Sequence, residues 1–152
     1  MPEKPGSVVA LLAQHRRIAL DSNVLIYLLE GNGPRADNAA DIADAVADGV
    51  IEGVLASIAI AEILMPSARA DDAIVFEATA STIRDLSLRI VPLDADVAED
   101  VAWIRGRSGI TVPDAIHLAC ARAAEATVFV TNDRRMPTLP RLEIAILDDL
   151  IA

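Results

Sequence analysis

Cysteine, aromatic residues and long hydrophobic runs are scarce in this chain, and each scarcity excludes a class of protein. One cysteine among 152 residues excludes a disulfide framework and fits a reducing cytosol. We expect this residue, Cys120, to be a small buried side chain in an alanine-rich helix, not a nucleophile. Aromatic residues make up 3% of the chain and apolar residues 53%, so the core should consist of tightly packed helices with small side chains.

The hydrophobic runs are too short to cross a membrane. The run at residues 7–13 is far below the roughly 20 residues that a span needs, and polar and basic residues follow it instead of a cleavage site. The length fits one domain, residues 1–152, in which residues 1–16 form an N-terminal extension. We therefore expect a cytoplasmic protein that has no membrane partner.

Positive charge is also scarce. Lysine and arginine number 13 against 23 acidic residues, so the formal net charge is −10. This balance argues against a protein that coats nucleic acid, because phosphate binding usually depends on Lys and Arg. Acidic clusters can still handle phosphodiesters when divalent metal ions lie among the carboxylates and reverse the local charge. The acidity also favours a basic partner.

Apolar runs near residues 18, 54, 90, 128 and 144 predict five strands, with helical segments between them. This alternation is typical of a three-layer α/β/α sandwich with a central, mostly parallel sheet. Ser22 or Asn23 is expected to cap the helix after the first strand. Ser57 is expected to cap the next helix, which Pro66 should end at Met65.

Acidic residues recur at one edge of this predicted sheet. Asp21 and Asp133 each follow an apolar strand, and Glu62 and Asp114 lie near the starts of helices that leave the same edge. Four carboxylates in one cleft would repel one another and raise their own pKa values unless cations lay between them. Oxygen ligands favour Mg²⁺ or Mn²⁺. We therefore predict a metal site in which these residues are catalytic and hold the metal.

Several neighbouring residues have two open interpretations. His117 either donates a proton to a leaving group or packs inside its helix. Trp103 lies off the apolar stripe of its helix and is either a partner contact or a half-buried rim residue. Four arginines either contact a substrate phosphate or pair with the chain's own acids, namely Arg105, Arg107, Arg134 and Arg135. Four polar residues either orient the carboxylates and contact phosphate or simply cap helices, namely Ser22, Asn23, Thr131 and Asn132.

The chain resembles the PIN-domain family, and within it the VapC-type toxins of bacterial toxin-antitoxin pairs. The resemblance covers residues 17–148 and lies in four segments: Leu20-Asp21-Ser22-Asn23-Val24-Leu25, Ile60-Ala61-Glu62-Ile63-Leu64, Pro113-Asp114-Ala115-Ile116-His117-Leu118-Ala119 and Val130-Thr131-Asn132-Asp133. It implies a Mg²⁺-dependent endoribonuclease that cleaves tRNA, rRNA or mRNA at single-stranded sites. It also implies a homodimer and an antitoxin partner.

Metal-assisted hydrolysis suits such a site. One ion would activate a water, and a second ion, about 3.5–4 Å away, would stabilise the leaving oxygen. Asp21, Glu62 and Asp114 are the expected ligands, and Asp133 would hold a metal-bound water or complete the second position. Two alternatives stay open, a PIN-like nuclease that cleaves DNA and a non-catalytic PIN scaffold that acts by binding a partner.

Overall fold

The computed structural model describes residues 3–150, and five strands and seven α-helices alternate within that range. The strands are β1 (Arg17–Leu20), β2 (Glu52–Ala56), β3 (Arg89–Val91), β4 (Val128–Thr131) and β5 (Glu143–Ile146). The helices are α1 (Val8–Gln14), α2 (Ser22–Glu30), α3 (Pro34–Ala47), α4 (Ser57–Arg69), α5 (Ala73–Asp85), α6 (Ala95–Ser108) and α7 (Val112–Ala123). A short 3-10 helix, Leu147–Asp149, follows β5. The first residues of the predicted N-terminal extension lie outside the described range.

All five strands are parallel and lie in the order β3-β2-β1-β4-β5. The strand β1 is therefore the centre of the sheet. Leu20, its last residue, is level with Leu55 of β2 and Val130 of β4, so the three central strands end together. We call this the carboxyl edge and the opposite side the amino edge. The predicted three-layer α/β/α fold is confirmed.

Alternate residues of the strands enter two separate cores. Ile18 of β1 packs with α2 and α3 on one face of the sheet, and Ala19 packs with α6 and α7 on the other. Alanines line the buried side of α7 and allow that helix to lie close to the strands. Cys120 is 1% exposed among them, as expected, and burial raises the pKa of its thiol to about 11. The lone cysteine is thus a packing residue.

The predicted boundaries of α4 are wrong at both ends. Ala56 occupies the cap position without a side-chain hydrogen bond, and Ser57 is already the first helical residue. Pro66 does not end the helix, which continues to Arg69. A proline inside a helix removes one hydrogen bond, here to the carbonyl of Glu62. The turn after the proline keeps other hydrogen bonds, since the Ala70 N–H donates to the Pro66 carbonyl at 3.1 Å and the Ser67 hydroxyl donates to the Leu64 carbonyl at 3.0 Å.

The helices are short for a membrane environment. The longest, α3 and α6, have 14 residues each, below the roughly 20 that cross a bilayer. Accordingly, within residues 3–150 no helix has the length and hydropathy of a transmembrane segment.

Candidate active site at the carboxyl edge

Asp21 leaves the central strand at the carboxyl edge, where parallel sheets commonly bind ligands. Its backbone N–H donates to the carbonyl of Val130 at 2.9 Å, which keeps the chain in register with β4 for one residue beyond β1. Thr131 ends β4 directly beside it. Asp21 is 6% exposed and Thr131 is fully buried. An acid therefore lies at the middle of the sheet edge, where solvent barely reaches it.

Three neighbours hold the carboxylate of Asp21. The hydroxyl of Thr131 donates to Oδ2 at 2.7 Å, the backbone N–H of Ser22 donates to Oδ1 at 2.7 Å, and the amide of Asn23 donates to Oδ2 at 3.4 Å. Asp21 is thus itself the N-cap of α2, and the prediction that Ser22 or Asn23 caps this helix is wrong. The strand passes into the helix with no intervening loop, so the last extended residue becomes the cap.

His117 lies between two of the predicted catalytic acids. Its Nε2 is 2.6 Å from Oε1 of Glu62 and 3.7 Å from Oδ1 of Asp21. The helices α4 and α7 bring Glu62 and His117 together from opposite faces of the sheet. His117 is 2% exposed, and its Nδ1 has no hydrogen-bond partner within residues 3–150. The imidazole is therefore held only through the carboxylates.

The pKa values of Asp21 and His117 are both shifted from their ordinary values. Burial raises the pKa of Asp21 by more than His117, Thr131 and the Ser22 N–H lower it. Burial lowers the pKa of His117, but the hydrogen bond to Glu62 and the charge of Asp21 outweigh this, so the net shift is upward. Both upward shifts arise because carboxylates are buried here. Burial disfavours the charged form of Asp21, and the nearby negative charges favour the protonated form of His117.

Asp114 and Asp133 lie at the same edge but have other neighbours. Asp114 is half-buried in the first turn of α7, and its charge adds to the upward pKa shift of His117. The carboxylate of Asp133 accepts two hydrogen bonds from the Arg135 guanidinium, each at 3.0 Å. These bonds hold the pKa of Asp133 below its ordinary value. Arg135 and Asp114 also line one concavity, so this arginine connects the two acids.

The four polar residues expected near the acids divide into two kinds. Ser22, Asn23 and Thr131 contact the Asp21 carboxylate. Asn132 instead donates to the Tyr27 hydroxyl at 3.3 Å and accepts from the backbone of the 3-10 helix at 3.0 Å. It therefore ties the chain after β4 to its neighbours, and its side chain is not hydrogen-bonded to an acid of the site.

A model of the PIN domain matches residues 18–142, a range that includes all four predicted catalytic acids. The chain belongs to the PIN-domain family. A search of curated protein sequences finds no significant match.

Solved structures share the fold of this PIN domain at low sequence identity. A chain of a toxin-antitoxin complex from Klebsiella pneumoniae is 19% identical with a TM-score of 0.60, covering 82% of this chain and 94% of that one. A chain of VapBC2 from Rickettsia felis, bound to a promoter DNA fragment, is 17% identical with a TM-score of 0.67. Coverage there is 86% of this chain and 98% of that one. A chain of DNA-bound VapBC from Salmonella typhimurium is 18% identical with a TM-score of 0.62 and the same coverage.

The donors at this edge fit a hard divalent ion, the cofactor that PIN nucleases generally use. Asp21 and Glu62 offer carboxylate oxygens, and the raised pKa of Asp21 marks charge that a cation would compensate. Within residues 3–150 no three His, Cys, Asp or Glu side chains lie in a metal-binding arrangement. His117 and Arg135 instead provide the positive partners of Glu62 and Asp133. The convergence of all four acids on metal ions stays a prediction.

Two contacts of this PIN site were not evident in the sequence. His117 was left between two interpretations, and its place between Glu62 and Asp21 follows from how α4 and α7 cross the sheet edge. The one available signal was its spacing, three residues after Asp114 on the same helix face. The pairing of Asp133 with Arg135, two residues away, had no such signal because arginine side chains reach many acids in so acidic a chain.

Proposed function

We propose that this PIN domain is a Mg²⁺- or Mn²⁺-dependent endoribonuclease and the toxin of a toxin-antitoxin pair in the cytoplasm. One observation carries the proposal, the buried Asp21 carboxylate at the end of the central strand, facing Glu62 across His117. A buried acid with a raised pKa beside a second acid is costly for the fold and typical of a functional site. The family membership and the likeness to toxin-antitoxin complexes support the same function.

Each acid has a distinct part in the proposed reaction. Asp21 and Glu62 would hold the metal ion, Asp114 would extend the acidic surface, and Asp133 would become available if Arg135 turned to the substrate phosphate. A metal ion held there would supply a water of lowered pKa and compensate negative charge on the phosphate. Thr131 keeps the Asp21 oxygens in place through its 2.7 Å hydrogen bond. The single-stranded RNA backbone lies along this edge.

His117 positions Glu62 in this proposal. Its Nε2 lies 2.6 Å from Oε1 of Glu62 and 3.7 Å from Oδ1 of Asp21, so the imidazole separates the two carboxylates and offsets their mutual repulsion. Because the imidazole is buried and has no partner at Nδ1 within the described chain, its orientation depends on these acids. A metal ion that binds Glu62 would therefore have to displace the His117 imidazole from that carboxylate.

A second surface suits a protein partner. Met65 of α4 and Ile74 and Val75 of α5 are exposed, and α5 buries only Ala80 and Ile83. A helix with so little buried surface is typical of an element that packs against another chain. We propose that an antitoxin covers it, and that the toxin itself forms a homodimer. Ile74→Asp should abolish complex formation with a co-expressed antitoxin at unchanged cleavage, as measured by size-exclusion chromatography.

Expression of the wild type and of Asp21→Asn in cells, followed by sequencing of RNA 5′ ends, tests the nuclease activity. We expect growth arrest and discrete new 5′ ends with the wild type only. Asparagine is as good an N-cap as aspartate, so α2 and the fold should persist in the variant. Equal toxicity of the two proteins would favour a binding scaffold, and new DNA ends without new RNA ends would favour a DNA nuclease.

A further inference from the structure

An exposed tryptophan lies on the side of α6 that faces away from the sheet. Trp103 is 61% exposed, whereas the helix buries Val97, Val101 and Ile104 on its other side. The guanidinium carbon of Arg107, one helical turn further on, lies 5.2 Å from the centre of the indole ring. Tryptophan is enriched at protein interfaces, where its large ring is buried against a partner. This side of α6 is therefore a candidate contact surface.

The charged residues on this side of α6 are divided by Trp103. Glu99 lies one turn before the tryptophan and Arg107 one turn after it, so the three side chains share one face of the helix. Asp96 adds a second acid on the N-terminal side. All four residues are exposed, and we call them the outer face of α6. This outer face is thus acidic before the tryptophan and basic after it, whereas Arg105 projects from another side of the helix.

The two charges nearest the tryptophan have no partner in their own chain. Neither Glu99 nor Arg107 forms an ion pair within residues 3–150. The positions three and four residues from Glu99 carry no cation, and those around Arg107 carry no acid, so the helix itself provides no partner. The two residues are separated by about 12 Å of helix, with the tryptophan between them. Each charge is therefore available to a second molecule.

We propose that the outer face of α6 is a two-fold contact with a second copy of the chain. In this contact the two α6 helices run antiparallel, with their Trp103 rings together. Residues equally far from Trp103 in opposite directions then lie level, so Glu99 of each copy meets Arg107 of the other. Every charge that lacks a partner in the single chain gains one. This contact is the interface of the homodimer proposed above, on which it rests, and it adds the surface and the register.

The outer face of α6 suits a second copy better than other surfaces and other occupants do. Two chains of formal net charge −10 repel each other, so a contact between them needs a face on which acids and bases match. The exposed side of α3 carries aspartates at 37, 41 and 44, and a two-fold contact there would place acid against acid. A nucleic-acid strand on the outer face of α6 would gain one arginine but meet two carboxylates. A second copy is complementary at both ends of the face.

A contact through one helix per copy is small. It offers less than the total area of about 1,200 Å² that specific, stable interfaces bury. We therefore expect weak association in the micromolar range, to which the two tryptophans contribute most of the affinity, as central aromatic side chains do in other interfaces. The charge pairs at either end fix the antiparallel register.

Charge reversal tests this register. All proteins carry Asp21→Asn, so that the chain can be expressed without toxicity, and sedimentation velocity gives the dissociation constant of the dimer. Glu99→Arg and Arg107→Glu should each raise this constant at least about tenfold, because each places like charges opposite one another. An equimolar mixture of the two variants, and the double variant, should both return to within about threefold of the parent value. Arg105→Glu is the matched control, since it reverses a charge on another side of α6 and should have no effect.

The tryptophan provides a second readout. Trp103 is the only tryptophan in the chain, so its emission reports on this surface alone. The emission should shift to shorter wavelength as the chain concentration rises through the dissociation constant, because the ring leaves water. Trp103→Ala should raise that constant at least about tenfold. Thermal unfolding of every variant at low concentration checks that the fold is intact.

The outcomes separate this contact from the proposed nuclease. A dimer that persists unchanged in all variants would overturn the α6 contact and leave the homodimer in place. A parent chain that stays monomeric would overturn both, and cleavage of RNA by the active chain, measured separately, would leave the nuclease function intact. A dimer that follows the charge reversals, in a chain that cuts no RNA, would overturn the nuclease and keep the contact. An emission shift caused by oligouridine while the chain is monomeric would overturn the contact in favour of nucleic acid.

Discussion

The chain has two histidines, and they lie at opposite edges of the sheet in similar surroundings. His15 at the amino edge is 9% exposed and lies 2.7 Å from Oε2 of Glu143. His117 at the carboxyl edge is 2% exposed and lies 2.6 Å from Oε1 of Glu62. The strand β4 runs between them, with Thr127 just before it and Thr131 at its end. Each edge thus carries a threonine, a buried histidine and a glutamate.

The two histidines differ in how many of their ring nitrogens have a hydrogen-bond partner. His15 has partners at both ring nitrogens, since Nδ1 is 2.7 Å from the Thr127 hydroxyl. His117 has none at Nδ1 within residues 3–150 and has a second acid, Asp21, beside Nε2. A complete network stabilises a fold, whereas a buried network with excess charge is retained at a cost. The complete network at the amino edge is typical of a structural cluster, and the incomplete one lies at the edge where we propose the active site.

The largest contrast is expected between the two glutamates. Glu62→Gln should lower the rate of RNA cleavage at least about 100-fold, because it removes a charged oxygen ligand. Glu143→Gln keeps an acceptor for His15 and should stay within about twofold of the wild type. Initial rates at saturating Mg²⁺ measure both. Similar losses in the two variants would remove the functional distinction between the edges.

The second contrast is in stability. His15→Ala breaks both hydrogen bonds of the amino-edge cluster and should lower the free energy of unfolding by about 2 kcal/mol. Cleavage by the folded variant should be unchanged. Urea unfolding is the measurement, and Arg16→Ala, which alters an exposed neighbour, should shift it by less than about 0.5 kcal/mol. An unchanged unfolding midpoint for His15→Ala would mean that this cluster does not stabilise the fold.

The two threonines of β4 give a matched pair of smaller changes. Thr131→Val removes the donor to Asp21 and should reduce cleavage about tenfold through misplacement of that carboxylate. Thr127→Val removes a partner of His15 and should lower stability by about 1 kcal/mol with cleavage intact. Steady-state cleavage and urea unfolding of both proteins measure the effects. Equal losses of cleavage activity in the two variants would contradict the comparison between the edges.

The smallest effect is in the pH dependence of stability without metal. The folded pKa of Asp21 is raised, so its protonation stabilises the fold at low pH, and this contribution is lost as pH rises through the folded pKa. Asp21→Asn does not titrate. Its stability relative to the wild type should therefore increase with pH from about pH 4 upward. Urea unfolding in the presence of EDTA measures this. If the pKa of Asp21 were not raised, the difference in unfolding free energy between Asp21→Asn and the wild type would be the same at every pH.

The fold was largely predictable because each strand is a short apolar run and each helix has its own periodicity. The order of elements and the parallel sheet follow from that alternation. The errors occur at element boundaries, where a local rule was applied too strictly. Pro66 was expected to end α4, but the helix loses only one hydrogen bond there and continues to Arg69, where the Pro66 carbonyl still accepts from the Ala70 N–H. Ser22 was expected to cap α2, but the strand enters the helix so directly that Asp21 takes the position.

The acids of the candidate site could be predicted from the sequence, but the side chains that contact those acids could not. Acids that follow apolar strands, and acids near the starts of the helices after those strands, converge on one edge in a parallel sheet, which is why Asp21 and Glu62 could be named. The contact of His117 with both depends on the depth at which α7 crosses the edge. That depth is a property of the tertiary packing, and no local pattern in the sequence encodes it. The roles of Asp114 and Asp133 in metal binding stay predictions.

Thermal unfolding with and without Mn²⁺ tests the central claim most directly, because binding is detected without knowledge of the substrate. Mn²⁺ should raise the Tm of the wild type and of Glu143→Gln by similar amounts, since a ligand that binds only the folded chain stabilises it. It should leave the Tm of Asp21→Asn nearly unchanged. An equal Mn²⁺ response in Asp21→Asn and the wild type, or no response in any of the three proteins, would contradict a metal site at the carboxyl edge.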